Sequence, residues 1–141
     1  TSIQDRKRPD GISYFPFKNG RCLAWDFTCP DTLARTHIKK STSSEAGKAA
    51  SRAEDGKLRK YRRLNADYYV VPIGIETLGS FGPHALDFIK DIGHRIVEST
   101  GEKKATSYLM QTIGMAIQRG NSSCILETVF DTRKLDEVYY L

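Results

Sequence analysis

Two short β-rich runs open the patterned part of the chain. "GISYFPF" and "RCLAWDFTC" flank "KNG", and Asn-Gly between such runs predicts a hairpin. Pro9 and Pro16 confine the first strand to an edge of the sheet or to strand ends, because proline cannot donate to a ladder. The segment 30–42, "PDTLARTHIKKST", holds no sustained period and reads as a loop with room for a helical turn. A helix is expected to start near Ser43 or Ser44, either of which can cap it, and to run to about Leu64. "DYYVVPIGIETLG" predicts a buried strand ending at Gly79. From His84 to about Thr100, Leu86, Ile89, Ile92, Ile96 and Val97 follow helical spacing, and Ala105 to Arg119 predicts another helix. "RGNSS" is expected to end it, before a helical or mixed segment carrying Ile125, Leu126 and Val129. The order strand, strand, helix, strand, helix, helix implies a mixed α/β domain, a small sheet flanked by helices.

Composition narrows this picture. A chain of 141 residues with 39% hydrophobic and 28% charged positions is expected to form one domain around one core. No apolar run approaches the roughly 18 residues of a membrane span, and the start lacks the apolar segment of a signal peptide, so no membrane is expected and an intracellular place is. Cys22, Cys29 and Cys124 form neither a disulfide framework nor a zinc motif and read as reduced thiols. The charge is unevenly placed. Residues 1–63 carry 15 Lys and Arg against 7 Asp and Glu, whereas residues 64–141 carry 7 against 10. A concentrated positive field favours a polyanion, above all nucleic acid, with solvated helix faces as the plain alternative.

Two residues break the apolar pattern. Asp26 sits among Leu23, Ala24, Trp25 and Phe27, where a carboxylate is costly unless it is paired or binds a cation. Lys57 falls on the helical stripe Ala46, Ala49, Ala50, Ala53, Lys57, Tyr61, Leu64, in a slot where an apolar side chain is expected. Hairpin register decides whether Asp10 joins them. A three-residue Lys18-Asn19-Gly20 loop sets Asp10 on the same sheet face as Asp26, within side-chain reach of a shared cation. A two-residue Asn19-Gly20 turn sets them on opposite faces. Two carboxylates and a lysine are the parts of a phosphodiesterase that uses Mg²⁺ or Mn²⁺: hard oxygens suit the cation, and the lysine steadies charge or positions water.

These residues also carry a resemblance. Arg8-Pro9-Asp10, then Asp26 in "LAWDFT", then Lys57-Leu58-Arg59-Lys60-Tyr61, followed by "VVPIGIETLGSFG", resemble in order the restriction-like endonuclease domain of non-LTR retrotransposons, a branch of the PD-(D/E)XK nuclease superfamily. The likeness spans about Arg6 to Gly82. It implies a restriction-endonuclease-like core in which the hairpin carries the acidic residues. It further implies that Asp10, Asp26 and the Phe27 carbonyl bind Mg²⁺ or Mn²⁺, that Lys57 is catalytic, and that Lys60 and Tyr61 contact phosphate or water. The superfamily's simplest form has lysine two residues after the second acid, where Thr28 stands here, so the role passes to the helix. The family core also places a helix before the Pro-Asp strand, and the chain begins too late for one, so a fragment or derived gene is expected.

DNA is the expected partner, with a reverse transcriptase domain in the parent element and a nuclear location following from the substrate. Arg6, Lys7, Arg8, Arg59, Arg62, Arg63 and Arg119 are the expected nucleic-acid contacts. Arg119 in "QRGNSS" could meet a phosphate beside a restarting helix, or simply mark a helix stop. Glu76 could face the metal or stabilise a turn. His37, His84 and His94 are too scattered for a ligand set. Beside the nuclease stand two alternatives: a catalytically inactive nucleic-acid-binding remnant, and a structural or protein-interaction domain using its acidic half.

Overall fold

The computed structural model describes residues 8–34 and 45–132, with side chains in the second stretch described to residue 128. The chain forms strands β1 (Gly11–Lys18) and β2 (Arg21–Thr28), helix α1 (Lys48–Lys60), a 3-10 turn (Leu64–Ala66), strand β3 (Tyr68–Gly74), and helices α2 (Pro83–Thr100) and α3 (Ala105–Thr132). The sheet order is β1-β2-β3, with β1 antiparallel and β3 parallel to β2. A parallel pair needs a crossover, and α1 lies within the connection. The described residues therefore form a mixed α/β fold, with a small mixed sheet and three helices, as the order of elements predicts.

Helices cover both faces of the sheet. On one, Ala24 and Val70 pack against Tyr61 at the end of α1, with Leu64 and Tyr68 beside them. On the other, Phe17 stacks at 5.9 Å from Tyr69 and 5.7 Å from Phe88 of α2. Small side chains set the approach: Ala24, Ala49, Ala50 and Ala85 are fully buried. Ala46 of the expected stripe is exposed and precedes the helix.

Several boundaries differ from the pattern-based expectation, each for a physical reason. The hairpin turn has two residues, Asn19 and Gly20, both left-handed at φ 51° and 70°, which is the mirror-image turn that matches strand twist. β3 ends at Gly74, and Ile75 only bridges to Phe81 across a turn. α1 starts at Lys48 after a left-handed Gly47 (φ 80°), and ends at Lys60 rather than Leu64. The Ser43 or Ser44 cap lies outside the described residues. "RGNSS" does not stop α3. Asn121 Nδ2 donates to the Thr77 carbonyl (2.8 Å), and Ser122 Oγ donates to the Gln118 carbonyl four residues back (3.0 Å), so these polar side chains find partners without leaving the helix.

Two glutamates are buried in the join between these elements. Glu54 Oε1 accepts from the Gly74 and Ala85 amides (3.0 and 2.9 Å) and Oε2 from the His84 amide (2.9 Å). That carboxylate thereby caps the first turn of α2. Glu76 Oε1 accepts from Ala49 and Ala50 at the start of α1 (3.0 and 3.3 Å), and its Oε2 accepts from the Thr32 hydroxyl (2.8 Å). Helix N-termini present unpaired N–H groups and partial positive charge, which offsets the cost of burying each carboxylate. Close approach requires glycine here: a Cβ on Gly82 would overlap the Glu54 carboxylate, and one on Gly74 would come 2.8 Å from Glu54 Cγ.

Candidate metal and phosphate site

The hairpin brings its two aspartates together by a route other than its turn. Lys18 pairs with Arg21, as a two-residue turn dictates, and that register alone would send Asp10 and Asp26 to opposite faces. Extra residues in β1 change it. Phe17 stands unpaired between Lys18 and Pro16, and Ser13, Tyr14 and Phe15 together oppose Leu23 alone, so that Ile12 pairs with Ala24 and Gly11 with Trp25. Continued by one residue, the register sets Asp10 across from Asp26. The Asp10 amide donates to the Trp25 carbonyl (2.9 Å), and Asp10 Oδ2 accepts from the Phe27 amide (2.6 Å). Gly11 leaves room for the Trp25 indole, which lies where a Cβ would be.

Asp26 is 3% exposed and meets two residues of α1 and its end. Lys57 Nζ stands 2.5 Å from Oδ2, and the Tyr61 hydroxyl stands 2.8 Å from Oδ1. Lys57 and Tyr61 are four apart, so one helical face delivers both. The Tyr61 hydroxyl also lies 2.6 Å from the Arg8 carbonyl, which leaves one proton between two acceptors and ties the Pro-Asp segment to α1. Burial first, then the hydrogen bond and charge of Asp26, push the Tyr61 phenol up to about 12, against the opposing effect of the Lys57 ammonium. Tyr61 thus serves as a donor, not as a phenolate. The Lys57 approach to Asp26 is an ion pair without hydrogen-bond direction: Asp26 Oδ2 is the buried side-chain oxygen among the described residues that has no hydrogen bond.

Hard-oxygen donors therefore gather at the start of the hairpin. They are the exposed Asp10 carboxylate, Asp26 Oδ2, and the Phe27 carbonyl, which shares the β1 side with its own N–H in an extended chain. Among the described residues no group of three or more His, Cys, Asp or Glu side chains converges as a metal site. Mg²⁺ needs few protein carboxylates, because it keeps water and takes substrate phosphate to complete its octahedron; here Asp26 Oδ2 already faces the Lys57 ammonium.

The remaining expected residues fall into three groups. Lys60 is exposed and places its ammonium 5.0 Å from the Tyr61 ring centroid, one step outside the cluster. Arg8, Arg59, Arg62 and Arg63 are exposed around the site end of α1. Arg119 is exposed in the middle of α3, and the helix runs on unbroken, so neither the stop nor the restarting helix N-terminus considered beside it occurs. Arg6 and Lys7 lie outside the described residues. Glu76 caps α1 and does not join the aspartates. Glu54 was not among the candidates, although it shares the stripe of Ala50, Lys57 and Tyr61, where a second buried polar residue was legible.

No protein-family model, curated protein or solved structure matches the chain. Among the described residues no helix is long and apolar enough to cross a membrane.

Proposed function

We propose that the chain is a metal-dependent endonuclease that hydrolyses DNA phosphodiester bonds, with a restriction-endonuclease-like core of the kind that nicks target DNA for a retrotransposon. One observation carries this reading: a bulged hairpin sets Asp10 across from Asp26 while α1 brings Lys57 and Tyr61 to the same carboxylate. A small mixed sheet whose hairpin carries the acidic residues, flanked by helices, supports the reading.

Mg²⁺ or Mn²⁺ held by Asp10, Asp26 and the Phe27 carbonyl would polarise the phosphoryl group and lower the pKa of water. The protein's own groups do the rest. Lys57, about one-quarter exposed at its side chain, presents a positive charge from a partly dry site, where it can steady the charge that grows on a pentacovalent phosphate or hold the attacking water. Tyr61 fixes the Asp26 carboxylate by donation and cannot compete as a base at neutral pH. Exposed Arg59, Arg62 and Arg63 supply phosphate contacts on the DNA flanking the bond.

The test is nicking of supercoiled plasmid in Mg²⁺, Mn²⁺ or EDTA. Nicking is expected only with metal, and Asp26→Asn and Lys57→Ala should each lower it by about 10²-fold or more while DNA binding persists in filter retention. An Asp26→Asn variant that cuts at the wild-type rate would sink the assignment. Both Asp26 oxygens already have protein neighbours, which favours a second reading, a DNA-binding remnant that no longer cuts. Metal-independent binding without nicking would select it.

A further inference from the structure

The bulge that restores the register also pushes two aromatic side chains into solvent. Ser13, Tyr14 and Phe15 occupy the space opposite Leu23 alone, and the Ser13 hydroxyl closes the loop inward, accepting from the Leu23 amide and donating to the Phe15 carbonyl, both at 2.8 Å. With Ser13 turned in, Tyr14 is 95% and Phe15 81% exposed. Breaking an edge strand against unwanted pairing requires the bulge alone; it does not require adjacent aromatics at its tip.

Their setting is basic on one side and carboxylate-bearing on the other. Lys18 is exposed at the hairpin tip, and Arg21 donates to the Asn65 carbonyl (2.7 Å), which fastens that end of the hairpin to the segment after α1 that carries exposed Arg62 and Arg63. Asp10 and Asp26 lie at the opposite end of β1. From residue 28 back to residue 8, these two aspartates are the only acidic residues. A backbone running along the edge strand β1 from Lys18 to Asp10 crosses the bulge. The bulge places Tyr14 opposite Leu23, three β2 residues from Asp26, roughly 10 Å at ~3.3 Å per residue, a span of about three nucleotides at ~3.4 Å each.

Resting on the nuclease reading above, we infer that Tyr14 and Phe15 stack on unpaired bases a few nucleotides from the scissile phosphate, so that the substrate is DNA with locally opened or single-stranded bases rather than intact duplex. Aromatic faces stack on any base, and apolar wedges hold opened steps apart, so the contact is tolerant of sequence.

The experiment compares binding of the full chain, in EDTA, to an intact duplex and to the same duplex carrying a four-nucleotide bubble, with 2-aminopurine placed in the bubble. Wild type should prefer the bubble and change the probe's fluorescence on binding. Tyr14→Ala/Phe15→Ala should lose roughly tenfold or more of that preference and the fluorescence change, while Tyr14→Phe/Phe15→Tyr retains both. Circular dichroism checks that these surface variants fold. Equal binding of bubble and duplex by wild type, or an unchanged preference in the alanine pair, overturns this inference and leaves metal-dependent nicking standing. Failure to bind either DNA overturns this inference, and metal-dependent plasmid nicking decides the nuclease reading separately.

Discussion

Asp26 occupies a position whose neighbours are apolar, and the side chains that make it tolerable come from 31 and 35 residues further along, Lys57 and Tyr61. An unpaired buried carboxylate costs several kcal/mol, so the trio is a packing requirement before it is a chemical device. Its pH behaviour follows from Tyr61. The folded phenol titrates near 12 against an ordinary value of 10.0, so its share of stability is intact below about pH 10 and is lost as pH climbs towards 12. Ultraviolet titration should show a late-ionising tyrosine in wild type that Tyr61→Phe removes. In denaturant melts at pH 8, 10 and 11.5, the stability gap between the two proteins should be constant over the first two and shrink at the last. A gap that stays constant throughout would show that the phenol is not held protonated as described.

At the scale of elements, the sheet and its helices are locked by exchange of caps. Glu54 of α1 closes the start of α2, and Glu76 after β3 closes the start of α1, which points Lys57 and Tyr61 at the hairpin. Neither helix has a side-chain cap from its own N-cap residue, Gly47 or Gly82, so local sequence rules miss the device. Removing one acceptor strands buried amides at about 1–3 kcal/mol each. Glu54→Ala should therefore destabilise the fold by on the order of 3 kcal/mol or more in urea melts, with Glu54→Gln in between because its amide still offers one oxygen. A loss below about 1 kcal/mol for Glu54→Ala would contradict the cap. The hairpin teaches a related lesson: Asn19-Gly20 specified its turn correctly, yet the extra residues in β1 decided which face Asp10 occupies.

For the whole molecule, charge is divided unevenly along the chain. Lys18, Arg59, Arg62 and Arg63 are exposed about the hairpin and the end of α1, and the negative excess lies after residue 63. Binding to DNA should fall steeply with salt, because each phosphate contact releases counterions. Arg62→Gln/Arg63→Gln should weaken binding equally across sequences and flatten the plot of log K against log salt by about 1 per arginine. Fluorescence anisotropy from 50 to 300 mM salt measures this. An unchanged slope would move the DNA path away from these residues, and no affinity at physiological salt would favour a protein-interaction domain built on the acidic half.

Periodicity alone determined the order of elements, the α2 span to within one residue, and the start of α3, since these depend on repeats that the chain writes locally. The misfit of Asp26 and Lys57 was equally legible, because a polar residue in an apolar slot declares that a partner exists. That the two partner each other follows from the same misfit, and the fold pairs them; the remaining partners were decided in three dimensions. Asp10 reached Asp26 through bulges that leave no pattern, α1 began where the distant Glu76 could close it, and α3 continued through "RGNSS" because the Thr77 carbonyl received Asn121. In each case a hydrogen-bonding group was satisfied by a residue remote in the chain, and only the packed fold brings that residue near.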